Sequence, residues 1–185
     1  MRYFRSVMLF ISLPSYALAA PLVSDSEIFD NLRGLNTLRQ TLASSLDNQT
    51  TPIDESTFQQ TCMPVGKELM TWAQQNGYNA RQISHKNRNP KNSVSEHEQE
   101  IYNIFLREPM KETHVASDPL GSTSKTYYFR IPYEESCHHC HGPKNHRPEF
   151  VVKKYPDDKA FDFKKGDLRG LYVINTTTGS AGEKN

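Results

Sequence analysis

Residues 136–146 read SCHHCHGPKNH, and Cys137, Cys140 and His141 inside them form a C-x-x-C-H pattern. Two thiols at this spacing can each add to one of the two vinyl groups of a porphyrin, and the adjoining imidazole is then placed to ligate the iron. The pattern is therefore a signature of covalent c-type haem attachment. Two other chemistries use the same residue types. A thioredoxin-like dithiol needs its C-x-x-C to follow a strand and open a helix in a βαβ unit, whereas here Gly142-Pro143 follows at once and breaks a helix. A zinc site could take Cys137, Cys140 and one of His138, His139, His141 or His146. It lacks a second ligand pair at the usual spacing, and Cys62 alone is a weak substitute. The spacing favours haem.

A low-spin haem iron needs a ligand on its other face, usually His or Met and less often Cys. The candidates are Cys62, Met63, Met70, Met110, His85, His97 and His114. For the methionines and the histidines, core filling or surface placement is the commoner role. Cys62 could likewise be only a small buried hydrophobe. Two points set it apart. It is the odd cysteine of three, and it lies on an apolar stripe with Phe58, Val65, Leu69 and Trp72 that could wall a porphyrin face.

These residues must be positioned by a helical first half and a strand-rich second half. Ser24 and Glu27 form a capping box before Ile28, Leu32, Leu35, Leu42 and Leu46, which share one helical face. A polar linker, DNQTTP, leads to a second helix through Cys62 that ends at Asn76-Gly77. Pro64 removes a backbone donor, so this helix kinks near Cys62 or starts there. A short strand over YNARQIS, a loop and a third helix capped by Ser95 and Glu98 follow. The stretch 113–133 reads as a hairpin with Pro119 and Gly121 in its turn, and its second strand alternates Tyr127, Phe129, Ile131 and Tyr133. FVVKKYPDDKAFDF reads as irregular, GDLRGLYVINT as a closing strand, and 177–185 as a disordered tail. Helices first and antiparallel strands later indicate an α+β domain.

The N-terminus MRYFRSVMLFISLPSYALAA carries two arginines, an apolar run and Ala17-Leu18-Ala19 as a cleavage signature. Residues 1–19 thus read as a secretory signal peptide, too short and broken for a membrane span. Export to the periplasm agrees with the thiol chemistry, because c-type maturation occurs outside the cytoplasm. Without residues 1–19 the formal charge moves from +1 to −1, which argues against nucleic acid as a partner. The charge is uneven: 21–62 hold six acids and two bases, while 143–169 hold eight bases and five acids.

The ordered set resembles a known family, the periplasmic c-type haem domain with a PAS-like fold and a Cys/His-ligated iron, long catalogued as a domain of unknown function. The resemblance runs from about Phe58 to Ile174. It rests on the helical Cys62, RQISHKNRNPKN, Glu98 at a helix start, CHHCHG, and YPDDKAFDFKKGDLRG. It implies a PAS-like antiparallel sheet with N-terminal helices packed against it, residues 20–52 forming an N-terminal helix and linker before the haem domain at 53–176. It also implies one haem c, with thioethers at Cys137 and Cys140 and axial ligands His141 and Cys62. Arg81, Ser84, Arg88, Asn89, Pro90 and Asn92 would build a loop beside it. His85 stands where the family usually has an apolar residue, and Pro64 lies unusually close to Cys62. Similar domains form the sensing part of signalling proteins, so a redox or small-ligand sensing module is expected. With no membrane span or output domain in the sequence, its signal would pass to a separate signalling or redox protein. A soluble electron carrier, docking through the basic stretch 144–165, is the alternative. An enzyme is a third reading and would need an acid–base residue such as His97 or Glu98 over an open iron.

Overall fold

In the computed structural model the described residues are 23–117 and 124–176. The expected signal peptide, the hairpin turn with Pro119 and Gly121, and the tail at 177–185 lie outside them. The first helix, α1 (Asp25–Ser44), starts where Ser24 and Glu27 satisfy each other's backbone amides. Its stripe of Ile28, Leu32 and Leu35 is buried against the sheet. Asp54 caps α2 (Glu55–Thr61) by accepting from Thr57 N. A separate helix, α3 (Met63–Gln75), follows without a linker. Cys62 ends the first and caps the second, and Pro64 sits in the opening turn of α3, where a missing N–H is harmless.

A 3-10 turn over Glu96–Glu98, capped by Ser95, leads into α4 (Gln99–Arg107). The cysteine motif spans another 3-10 turn, Glu135–Cys137, and the short α5 (His138–His141). The region expected to be irregular from Phe150 onward begins instead with a helix, α6 (Glu149–Lys154). Pro148 presets the extended entry at its N-cap, Glu149 lies in the first turn, and Lys153 and Lys154 lie in the last, each complementing the helix dipole.

Four strands, β1 (Asn79–Ile83), β2 (Thr113–Ser117), β3 (Lys125–Pro132) and β4 (Leu168–Asn175), form one antiparallel sheet in the order β1-β4-β3-β2. The expected α+β architecture, helices packed on an antiparallel sheet, is what the chain adopts. Strand alternation divides the core. Tyr127, Phe129, Ile131, Tyr172 and Ile174 face α1 and α3, while Ile83, Tyr128, Leu171 and Val173 face Tyr102 and Phe105 of α4. Phe105 and Phe129 are fully buried, contributing roughly 1.5–3 kcal/mol each. Because α1 supplies Ile28, Leu32 and Leu35 to the same cluster as the sheet, it belongs to the body of the domain.

Two irregularities at the start of β4 shape what lies beneath it. Ile131 pairs with Gly170, but Pro132 pairs with Leu168, so Arg169 is an extra, bulged residue whose direction departs from the alternation. At Gly170 a Cβ would stand 2.6 Å from the Ile83 carbonyl oxygen, so only glycine lets β1 and β4 approach this closely. Among the described residues no helix is long and apolar enough to cross a membrane.

Candidate cofactor site

His141 is the last residue of α5, which stops because Pro143 pushes Gly142 out of the helical region, into a conformation where a Cβ would meet the His138 carbonyl oxygen at 2.7 Å. Its Nδ1 lies 2.8 Å from the Ala160 carbonyl oxygen. A carbonyl only accepts, so Nδ1 carries the proton and Nε2 keeps its lone pair. Burial, and then the charges of Arg169 and Arg88, hold this ring's pKa well below the ordinary histidine value. It is thus a neutral imidazole with one basic nitrogen, the form a metal takes.

Arg88 is buried beside it, donating from Nη2 to the Cys140 carbonyl oxygen at 2.7 Å and from Nε to Asp158 Oδ1 at 3.3 Å. Cys137 packs on a small cluster of Tyr133, Ala160 and Phe163, in which the Tyr133 and Phe163 rings stack 5.4 Å apart. Burial pushes the Cys140 thiol up to about 11 and raises the Cys62 thiol, against the opposing pull of Arg39. All three cysteines are unpaired.

Cys62 and His141 line the same cavity of about 230 Å³, together with Arg39, Ser84, Arg88 and Arg169. A smaller space of about 30 Å³ adjoins it and shares Arg39, Cys62, His141 and Arg169 while adding Cys137 and Cys140. A larger depression of about 640 Å³ lies between residues 46–54 and α6. It touches His138, His139 and His146 but neither Cys62 nor His141, so its size carries no weight for the cysteine chemistry.

The charge of the inner cavity is one-sided. Three guanidiniums line it and no carboxylate does. Arg88 has Asp158 as a counter-ion. Arg39 donates from Nη2 to the Tyr172 hydroxyl at 2.7 Å, but its Nε is buried with no partner. Burial, then Arg39 and Arg88, push the Arg169 guanidinium down to about 10. A buried donor without an acceptor and an arginine crowded by two others fit a group that brings its own anionic oxygens. A thiol and an imidazole on the walls, with two more thiols alongside, fit a metal-bearing group attached through carbon. Haem, with two propionates, an iron and two vinyl groups, meets all these requirements. Neither rival is supported: among the described residues no three His, Cys, Asp or Glu side chains are grouped to hold a bare metal ion, and the sheet beside the C-x-x-C is antiparallel throughout.

The profile of the Tll0287-like family matches residues 26–177. The chain belongs to the Tll0287-like family. Among solved structures it is similar to the crystal structure of the cyanobacterial haem-protein Tll0287, with 34% identity over 80% of this chain and 91% of that one, at a TM-score of 0.70. No curated protein matches. The Tll0287-like match begins inside α1, some way before the Phe58 at which the motif resemblance starts, and so takes in Arg39.

Within this Tll0287-like fold, Cys62, Cys137, Cys140 and His141 converge. Ser84, Arg88, Asn89 and Asn92 line the cavity. Arg81 does not. Alternation along β1 turns it to the α4 side of the sheet, where its guanidinium pairs with Glu98. Pro90 opens a 3-10 turn and is absent from the cavity wall. The rival axial candidates lie elsewhere: Met63, Met70 and Met110 are exposed, His97 is exposed on the side of Arg81 and Glu98, His85 lies tilted against Tyr102 and His114 packs by Tyr128. Glu98 is committed to Arg81 and Ser95, away from the cavity. Sequence reasoning passed over Arg39 and gave Arg169 no separate role. The signal for Arg39 was present: it falls between Leu35 and Leu42 on the buried stripe of α1, where a cation needs a reason.

Proposed function

We propose that this chain binds one haem covalently through thioethers at Cys137 and Cys140, with His141 and Cys62 as axial ligands, and works in the periplasm as a redox or small-ligand sensing module. The observation that carries this reading is that Cys62 and His141 line one cavity directly beside both motif cysteines. The family's cyanobacterial haem protein supports the choice of cofactor. When bound, haem supplies a one-electron iron centre whose potential its axial ligands set.

The chain's own groups have defined tasks. His141, fixed by Ala160, offers Nε2. Cys62 offers a thiolate, whose proton leaves on ligation. Arg39 and Arg169 face the cavity without carboxylate partners and would receive the propionates. Thiolate ligation donates electron density to ferric iron and lowers the potential. Cys62 sits at the joint between α2 and α3, a backbone position that can shift without unwinding either helix, which suits a ligand that leaves on reduction. The carrier alternative would rely on the basic stretch as a dock, in which Lys153, Lys154 and Lys165 lie beside Glu149, Glu55 and Glu135.

Optical and electron paramagnetic resonance spectra of the oxidised and reduced protein test the reading against Cys62→Ser. Wild type should show a low-spin thiolate-ligated ferric signal that the variant lacks. An unchanged ferric spectrum in Cys62→Ser removes the thiolate assignment, and a protein without covalently attached haem removes the reading altogether.

A further inference from the structure

We propose that Asp158 is a positioning residue for His141, holding the imidazole in the orientation and tautomer that keep Nε2 available to iron. The proposal rests on the haem reading above and concerns Asp158, to which that reading gives no task.

Asp158 lies in the loop after α6, and its side chain has no solvent exposure. Its Oδ1 accepts from Ala160 N at 2.9 Å and from Arg88 Nε at 3.3 Å, and its Oδ2 accepts from Arg147 Nη1 at 3.1 Å. Two of these three arms end on His141. Through the first, Asp158 fixes Ala160, whose carbonyl oxygen accepts the His141 Nδ1–H at 2.8 Å. Through the second it fixes Arg88, whose Nη2 donates at 2.7 Å to the Cys140 carbonyl, part of the peptide group from which His141 hangs. One carboxylate thus clamps both the ring and the backbone that carries it.

The chemistry requires an acid at this position. A carboxylate accepts on both oxygens and can serve an amide and two guanidiniums together, whereas an amide side chain would turn an NH₂ toward one of those donors. Groups beyond a ligating histidine fix its tautomer and raise its basicity. Arg88 Nη2 also lies 3.4 Å from His141 Nδ1, and two donors cannot bond each other. Asp158 draws Nε of that guanidinium toward itself, leaving Nη2 for the carbonyl and Nδ1–H for Ala160.

The test compares wild-type holoprotein with Asp158→Ala, which removes the oxygen shared by Ala160 N and Arg88 Nε, reading the ferric electron paramagnetic resonance spectrum, the reduction potential and the solvent exchange of the His141 Nδ1–H by paramagnetic NMR. Losing these charge-assisted hydrogen bonds should speed that exchange by about 10–100-fold. It should also shift the spectrum and raise the potential, since a less firmly oriented imidazole stabilises ferric iron less. Arg147→Gln cuts only the arm that leads away from His141, and should leave exchange and spectrum as in wild type. Unchanged exchange and spectrum in Asp158→Ala overturn the proposal, as does Arg147→Gln reproducing its changes, which would indicate general loosening of the loop. Should Asp158→Ala fail to accumulate, Arg88→Lys keeps the charge but cannot span both the carboxylate and the Cys140 carbonyl. It should give the same changes in smaller measure, and an unaltered spectrum there overturns the proposal too. Failure of the haem reading is distinct, because it appears as absence of covalent haem in the wild type.

Discussion

Arg39 stands where the spacing of α1 calls for an aliphatic residue, between Leu35 and Leu42, and its buried Nε has no partner. Near a haem this cation disfavours the ferric state, which carries one more positive charge than the ferrous. Arg39→Gln is therefore expected to lower the reduction potential, opposite in sign to Asp158→Ala, and a redox titration of the two variants checks both directions. Gly170 offers a prediction independent of the cofactor. An alanine there would drive its Cβ into the Ile83 carbonyl, and backbone cannot move aside as a side chain can. The strain should cost about 1–3 kcal/mol, measurable as a lower urea midpoint. At this scale the grouping of Cys137, Cys140 and His141 is legible from their spacing, and the fold sets them beside Cys62. Arg81 stands off the cavity wall because a motif says which residues travel together, whereas the two-residue period of a strand sends neighbours to opposite faces.

Among the elements, the α2–α3 joint matters most for Cys62. Pro64 cannot donate to the carbonyl one turn back, so α2 cannot run on through Cys62 as one helix. Pro64→Ala should let the two helices fuse, seen as a gain in helical circular dichroism together with a perturbed ferric spectrum as Cys62 rotates. A spectrum identical to wild type would mean that the joint does not set the thiol's position. On the other face of the sheet, Arg81 and Glu98 tie β1 to the start of α4. Burial opposes ionisation of Glu98, but bonds from Arg81 and Ser95 outweigh it and hold its carboxyl below the ordinary glutamate range. A depressed folded pKa contributes stability above the unfolded value, and this is lost as pH falls through the folded one. The urea midpoint should drop from about pH 5 downward, and Glu98→Gln should flatten that limb. Capping boxes at Ser24 and Ser95 were readable because they are local. The helix α6 was not, since six residues carry too little periodicity to read.

Across the whole molecule, one sheet serves two cores, and the cofactor cavity lies at the end where β4 is bulged, lined by residues of α1, α2 and α5. Three guanidiniums facing a cavity without carboxylates repel one another when nothing anionic is bound. Haem-free protein should therefore melt at a higher temperature with added succinate than with the same ionic strength of chloride, and the haem-loaded form should show a smaller difference. This global property was hidden in the sequence because Arg39, Arg88 and Arg169 are far apart along the chain and only the fold gathers them. The burial of Cys140, only 5% exposed, has a further consequence for assembly. A thiol enclosed this way is out of reach once the chain has closed, so the thioether proposed at Cys140 would have to form before the domain finishes folding. Loading would then be a race between attachment and closure. Chains that close first should be kinetic dead ends, and haem offered to them afterwards should be extractable rather than permanently joined.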